Sequence, residues 1–161
     1  MNNWRELPAS ETCVVCGRHN PAGLKVVFHT NGEKVRAEVN PPEGFQGMRG
    51  LLHGGIIAAL LDDAMWYAIY DRGFSSITAE LKVRFKQPVR LGRPLVVEGW
   101  LDEQKGDRLF TARAHLYYDG SKNAGNTGGE LLASGEGKFL PLPEELREAM
   151  GSFGQAGEGY G

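Results

Sequence analysis

Hydrophobic and polar positions change period along this chain in a way that sets one helix among strands. From Leu51 to Asp71 the sequence LLHGGIIAALLDDAMWYAIYD is apolar on nearly every face of a helical wheel, which predicts a buried helix from about Gly54 to Arg72, stopped near Gly73. Elsewhere the period is two. Ser76–Pro88 places Ile77, Ala79, Leu81, Val83 and Phe85 on one face and Thr78, Glu80, Lys82, Arg84 and Lys86 on the other, the pattern of a strand. Pro94–Gln104 and Arg108–Tyr118 flank a Lys105-Gly106-Asp107 turn, and Glu130–Leu140 reads as the last strand. The Gly-, Asn- and Ser-rich stretch over 119–129 is expected to be a long hairpin tip. Ahead of the helix, Asn31-Gly32 joins Leu24–Thr30 to Glu33–Val39, a strong hairpin signal.

A hairpin, one long helix and a four-strand antiparallel run predict an α+β domain over 24–140, with a curved antiparallel sheet wrapped around one central helix. Residues 1–23 form an irregular arm, 141–150 a short C-terminal helix, and 151–161 a glycine-rich tail expected to be disordered. The length of 161 residues fits one core. A formal net charge of −2 argues against nucleic-acid binding driven by global charge. No apolar run approaches the ~20 residues needed to span a bilayer. The start of the chain lacks a signal-peptide profile, so a cytoplasmic location and reduced cysteines are expected.

The chemistry concentrates on the helix. It carries Asp62 and Asp63, and an unpaired carboxylate is costly to bury. It starts at His53-Gly54-Gly55, where backbone N–H groups are free and the helix end is partly positive. Oxyanion donors and a carboxylate on one buried helix point to acyl chemistry, in which a developing negative oxygen needs a donor and the carbonyl carbon needs a base or nucleophile. Gly54 N–H is the candidate donor, and glycine at 54 and 55 lets a ligand approach the backbone. His53, at or beside the cap, bonds substrate or shapes the loop. Asp62 is the candidate base or nucleophile. At ~1.5 Å per residue, Gly54 and Asp62 are roughly 12 Å apart, too far for one carbonyl to touch both. Either one end alone is used, or two copies pair with their helices opposed. Asp63 points about 100° away from Asp62 and is its rival. Cys13-x-x-Cys16 followed by His19 is half of a zinc site with no second pair nearby, so the cysteines are read as structural or surface thiols and no metal is expected. His29 and His115 lie in strand-like segments without an evident chemical partner.

Several of these residues carry a resemblance to a known family. They are Gly50-Leu51-Leu52-His53-Gly54-Gly55, then Ala58, Leu60 and Asp62, then Thr78-Ala79, then Phe85-Lys86-Gln87-Pro88-Val89. Cys13-Val14-Val15-Cys16-Gly17 and Asn20-Pro21-Ala22-Gly23-Leu24 add to it at the front. Over about 13–140 the chain resembles the hotdog-fold acyl-CoA thioesterase superfamily, in particular the branch of phenylacetate-pathway thioesterases and THEM4/THEM5-type enzymes. The resemblance implies hydrolysis of acyl-CoA thioesters to free acid and CoA. No cofactor is implied, coenzyme A being part of the substrate. It also implies a homo-oligomer, a dimer or a dimer of dimers, in which Gly54 of one protomer faces Asp62 of the other. Asp62 is then preferred over Asp63, and Thr78 holds the attacking water or the carboxylate.

The chain departs from the family at one point. An amide side chain that some members carry six residues before the histidine is replaced by Gly47, with Gln46 one position earlier as the candidate substrate contact. Gly55 is a second substrate contact. Lys82, Arg84, Lys86, Arg90 and Arg93 are expected to form a phosphate-facing rim for coenzyme A, or else an ordinary solvated strand face. A non-catalytic acyl-CoA-binding or regulatory hotdog protein is the alternative. A hydratase or dehydratase of the same fold would carry a different Asp/His motif after the helix start, which is absent. The acyl group stays open between aromatic, medium-chain and long-chain thioesters.

Overall fold

The computed structural model describes residues 3–120 and 129–153. Seven strands form one antiparallel sheet: β1 (Arg5–Glu6), β2 (His29–Thr30), β3 (Val35–Val39), β4 (Ser76–Phe85), β5 (Leu95–Lys105), β6 (Leu109–Tyr118) and β7 (Leu131–Pro141). Their spatial order is β1-β2-β3-β5-β6-β7-β4, so β4 is an edge strand. A single long helix, α1 (Gly54–Tyr70), lies against the sheet with contacts to β3, β4, β5, β6 and β7. The α+β class and the wrapped helix expected from the sequence are both present.

The helix forms because its apolar residues have a place to go. Leu60, Leu61, Ala64, Met65 and Ile69 are fully buried against Val97, Ala112, Ala114, Leu116, Ala133 and Phe139 of the sheet. Burial of each large aliphatic side chain contributes about 1.5–3 kcal/mol. Close approach depends on small residues beneath the helix. A Cβ on Gly99 would lie 2.5 Å from the Ala64 carbonyl oxygen, so only glycine fits there. The helix ends two residues earlier than the sequence suggests, and Gly73 beyond it has a φ of 92°.

The first hairpin is shorter than its pattern predicts. Asn31 Oδ1 accepts from the Glu33 and Lys34 N–H groups and closes the turn, but residues 24–28 do not pair with β3. Their backbone is engaged by the N-terminal segment instead: Leu24 N–H donates to Val14 O, Val26 N–H to Val15 O, and Leu7 N–H to Phe28 O. The stretch read as an irregular arm thus contains β1 and buries Leu7, Val15 and Cys16 in the common core. At the other end, Glu144–Phe153 is a 3-10 helix. Most of the expected hairpin tip (121–128) and of the glycine-rich tail (154–161) lies outside the described residues.

One strand departs from its sequence pattern in a way that matters for the site. The alternation of β4 predicts Ile77 and Thr78 on opposite faces, with Ile77 alongside Leu81, Val83 and Phe85. In the structure Thr78 pairs with Phe139 and Glu80 with Lys138, so Ala79 is the extra residue of a β-bulge. An extra residue reverses the parity of everything before it. Thr78 therefore joins the helix-facing side with Leu81, Val83 and Phe85, and Ile77 turns outward. The expected burial of the apolar face also fails: Ile77, turned outward, is 42% exposed, and Leu81 and Phe85 are 37% and 56% exposed on a strand that has no further neighbour among the described residues.

Candidate active site

The loop ahead of α1 folds back on itself and presents the helix start. His53 N–H donates to Phe45 O, Gly47 N–H to Leu51 O and Leu52 N–H to Val89 O, while Leu51 bridges Arg90. His53 is the N-cap: its Nδ1 accepts from Gly55 N–H at 2.8 Å, and its carbonyl accepts from Ile56 and Ile57. The imidazole thus satisfies one terminal donor of the helix. Among the described residues no acceptor meets the neighbouring Gly54 N–H. Gly55 is exposed and Gly54 partly so, with the Phe85 ring beside Gly54. Gln46 is exposed, and its Oε1 accepts from Gly50 N–H at 3.1 Å, which holds the loop.

Two turns along, Asp62 sits partly buried on the side of α1 that faces β4. Thr78 Oγ1–H donates to Asp62 Oδ1 at 2.8 Å, a contact made possible by the bulge at Ala79. Burial pushes the Asp62 carboxyl above its ordinary range, and the Thr78 hydroxyl pulls it part of the way back. Trp66, one turn further, donates its indole N–H to Ser76 O at 2.8 Å and pins the helix to the start of β4. Gly55, Ala58, Ala59, Asp62, Asp63 and Trp66 all keep some exposure, so the helix that looked apolar all round has an incompletely covered stripe.

Asp63 points elsewhere, toward the N-terminal arm. Cys13 Sγ lies 3.9 Å from its Oδ2, and the Cys13, Cys16 and Asp63 ligand atoms all fall within 4.8 Å of one another. Burial raises the Asp63 carboxyl well above its usual range, helped by the negative charges of Cys13 and Asp62. The Cys13 thiol is held down by the hydrogen bond from Cys16, and backbone N–H groups help; the same bond and burial push Cys16 up. Spacing along the chain did not reveal this cluster, because its third member comes from the helix fifty residues on. The available signal was the pairing of a CxxC with a second acidic residue on a buried helix.

The structure brings Asp62 and Thr78 together, and His53 to Gly55, but does not gather the whole predicted set into one place within the chain. Lys82, Arg84, Lys86 and Arg90 are exposed; Lys82 and Arg84 lie on the outward face of β4, and Arg90 N–H donates to the Tyr118 hydroxyl near the helix-start loop. Arg93 lies over the Tyr118 ring at 3.6 Å. His29 pairs with Arg36 across β2–β3, and His115 stands edge-on to Trp100 at 4.8 Å.

Known proteins are similar to this chain in sequence and fold. The family profile described as the thioesterase superfamily matches residues 49–120, from the helix-start loop through β6. Over 96 residues the chain is 36% identical to acyl-coenzyme A thioesterase THEM4 of Bos taurus, a stretch covering 58% of this chain and 39% of that protein. It is 27% identical over 105 residues to acyl-coenzyme A thioesterase 13 of Mus musculus, covering 64% of this chain and 69% of that one. A crystal structure of a thioesterase superfamily protein superposes with a TM-score of 0.69 at 30% identity, covering 80% of this chain and 59% of the other. The chain therefore spans about two-fifths of the bovine relative and about three-fifths of the solved one. With its wrapped helix, its antiparallel sheet and this matched segment, the chain is similar to the thioesterase superfamily and has the hotdog fold.

Proposed function

We propose that this protein hydrolyses acyl-CoA thioesters to a free acid and coenzyme A. The observation that carries the reading is the Thr78–Asp62 hydrogen bond on a helix whose first N–H is unclaimed. Thr78 occupies Oδ1 and fixes the carboxylate, leaving Oδ2 to take a proton from water as it attacks the thioester carbon. The carbonyl oxygen becomes negative and is met by Gly54 N–H at the positive end of a helix. Collapse of the tetrahedral intermediate breaks the C–S bond, and the proton held by Asp62 goes to the departing thiolate. Attack by Asp62 itself, with water then cleaving the acyl-enzyme anhydride, is the second route through the same residues.

The distance along the helix decides how the site is built. Gly54 and Asp62 are roughly 12 Å apart along α1, so one carbonyl reaches both only if they come from different copies. The free edge of β4, with Ile77, Leu81 and Phe85 exposed, supports a dimer that joins at this edge and sets two helices antiparallel. His53 holds the helix start, Gly55 and Gln46 border the thioester, and Lys82, Arg84, Lys86 and Arg90 offer cations to the phosphates of coenzyme A. The names of the thioesterase relatives support the substrate class. A panel of aromatic, medium-chain and long-chain acyl-CoA esters, followed by release of free thiol, tests the reading. At least one ester is expected to turn over, with Asp62→Asn lowering kcat by about 100-fold or more. Absence of thiol release across the panel, or full activity in Asp62→Asn, contradicts it.

A further inference from the structure

We propose that Cys13, Cys16 and Asp63 form a binding site for a thiophilic divalent cation, zinc being the apt example, which ties the N-terminal arm to α1 on the side away from Thr78. The two thiols and the carboxylate converge from segments fifty residues apart, with all three ligand atoms within 4.8 Å of one another. The backbone is already wrapped around the first sulfur: Val15 and Cys16 N–H groups donate to Cys13 Sγ at 3.3 and 3.5 Å, and Gly17 N–H donates to Cys13 O at 2.9 Å. N–H groups aimed at sulfur favour the thiolate, the form that binds metal. This turn requires glycine at its end, since a Cβ on Gly17 would lie 2.4 Å from the Cys13 carbonyl oxygen. Ser10 Oγ accepts from the Thr12 and Cys13 N–H groups and fixes the approach.

Charge is the second argument. Carboxylates taken into a fold are paired with cations or coordinate metals. Among the described residues none of the ion pairs involves Asp63; they join Arg5 to Asp71, Arg18 to Glu6, Arg113 to Asp102 and Glu136, and Lys138 to Glu80. The Cys13–Asp63 separation of 3.9 Å is long for an S–H···O bond. It is near the roughly 3.5 Å expected between sulfur and oxygen on one tetrahedral zinc, given bonds of about 2.3 and 2.0 Å. A shift of a few tenths of an ångström closes the set. Two sulfurs select a soft or borderline ion over magnesium or calcium. Cys13 is only partly buried, which gives an ion a way in and leaves the fourth position to water. Bound there, the ion would clamp the arm to the residue next to Asp62. This inference does not depend on the thioesterase reading, and its test is independent of turnover.

The full chain, purified under reducing conditions and stripped with a chelator, is titrated with Co2+ and then with Zn2+. The expected result is a sulfur-to-cobalt charge-transfer band with intense four-coordinate ligand-field bands, saturating at about one ion per chain and displaced by Zn2+. Cys13→Ser is expected to remove most of the charge-transfer intensity. Asp63→Asn is expected to keep sulfur-to-cobalt absorption, shift the ligand-field bands and weaken zinc affinity at least about tenfold. Far-UV circular dichroism checks that each variant is folded, and the partly exposed Cys13 and Asp63 suffice if replacing the buried Cys16 prevents folding. A folded, reduced wild-type chain without the charge-transfer band overturns the proposal. So does a band that Asp63→Asn leaves unchanged in both position and affinity, or a Cys13–Cys16 pair that closes to a disulfide and binds neither ion when reduced.

Discussion

The hydroxyl of Thr78 and the carboxylate of Asp62 are separated by 2.8 Å, and the proposed chemistry depends on that pair. A hydrogen bond to a charged group is worth about 1.5–3 kcal/mol, so Thr78→Val is expected to lower kcat by about 10- to 100-fold. Thr78→Ser should restore most of it, because serine keeps the donor. A steady-state assay of the two variants checks this, and equal losses in both would assign Thr78 a packing role instead. Asn at position 62 can still accept from Thr78 while removing a partly buried charge, so Asp62→Asn should lose activity without losing thermal stability. At this scale the sequence was most informative where chemistry forces residue type. Asp62, His53 and the glycines stand out because carboxylate, cap and close backbone approach each demand something unusual of a buried helix. The Thr78 contact was legible only through family register, since a threonine in a strand is otherwise unremarked. The partners of Asp63 were hidden by chain separation.

Secondary-structure elements were legible where their period was strong and failed where one residue interrupted it. The helix and β5, β6 and β7 fall within a few residues of the spans predicted from hydrophobic pattern. The first hairpin lost half of one strand because residues 24–28 find their backbone partners in the arm, a competition that no local pattern encodes. In β4 the alternation was correctly seen, but its parity was wrong before Ala79, since a bulge leaves no reliable mark in a two-residue period. This gives a prediction at the scale of the strand. Deleting Ala79 should straighten the ladder while leaving Thr78 opposite Phe139 and on the helix-facing side, so kcat should stay well above the level of Thr78→Val. The fold should persist, because the β5–β6–β7 face of the core is untouched. Activity and melting temperature measured together test it; a folded deletion variant as impaired as Thr78→Val would contradict the assignment of Ala79 as the extra residue.

At the scale of the whole molecule, the sheet leaves one edge uncovered among the described residues. Among the described residues β4 has no neighbour beyond it, three of its large apolar side chains are exposed, and the adjoining helix stripe is incompletely covered. Exposed edges of this kind invite pairing with another chain. Phe85 lies both at this edge and beside Gly54, so Phe85→Lys should shift the protein toward monomer and reduce activity together. Sedimentation velocity alongside thiol-release assays would detect the joint change, and a fully active monomer would argue against it. The length of helix between Gly54 and Asp62 leaves the sequence with two solutions, one end used alone or two opposed copies; it could not show the uncovered edge, because the strand pattern alone assigns those side chains to a core.

Subunit complementation tests the shared site most directly. Gly54→Pro removes the proposed donor N–H at the first helical position, where proline is tolerated, and Asp62→Asn removes the base. Each variant alone should be nearly inactive. Unfolded together in equal amounts and refolded, they form mixed dimers in which one of two sites holds an intact Gly54 and an intact Asp62, so about a quarter of wild-type activity should return if the interface has two-fold symmetry. A mixture that stays as inactive as its components, despite forming mixed dimers, would contradict a site built from two protomers.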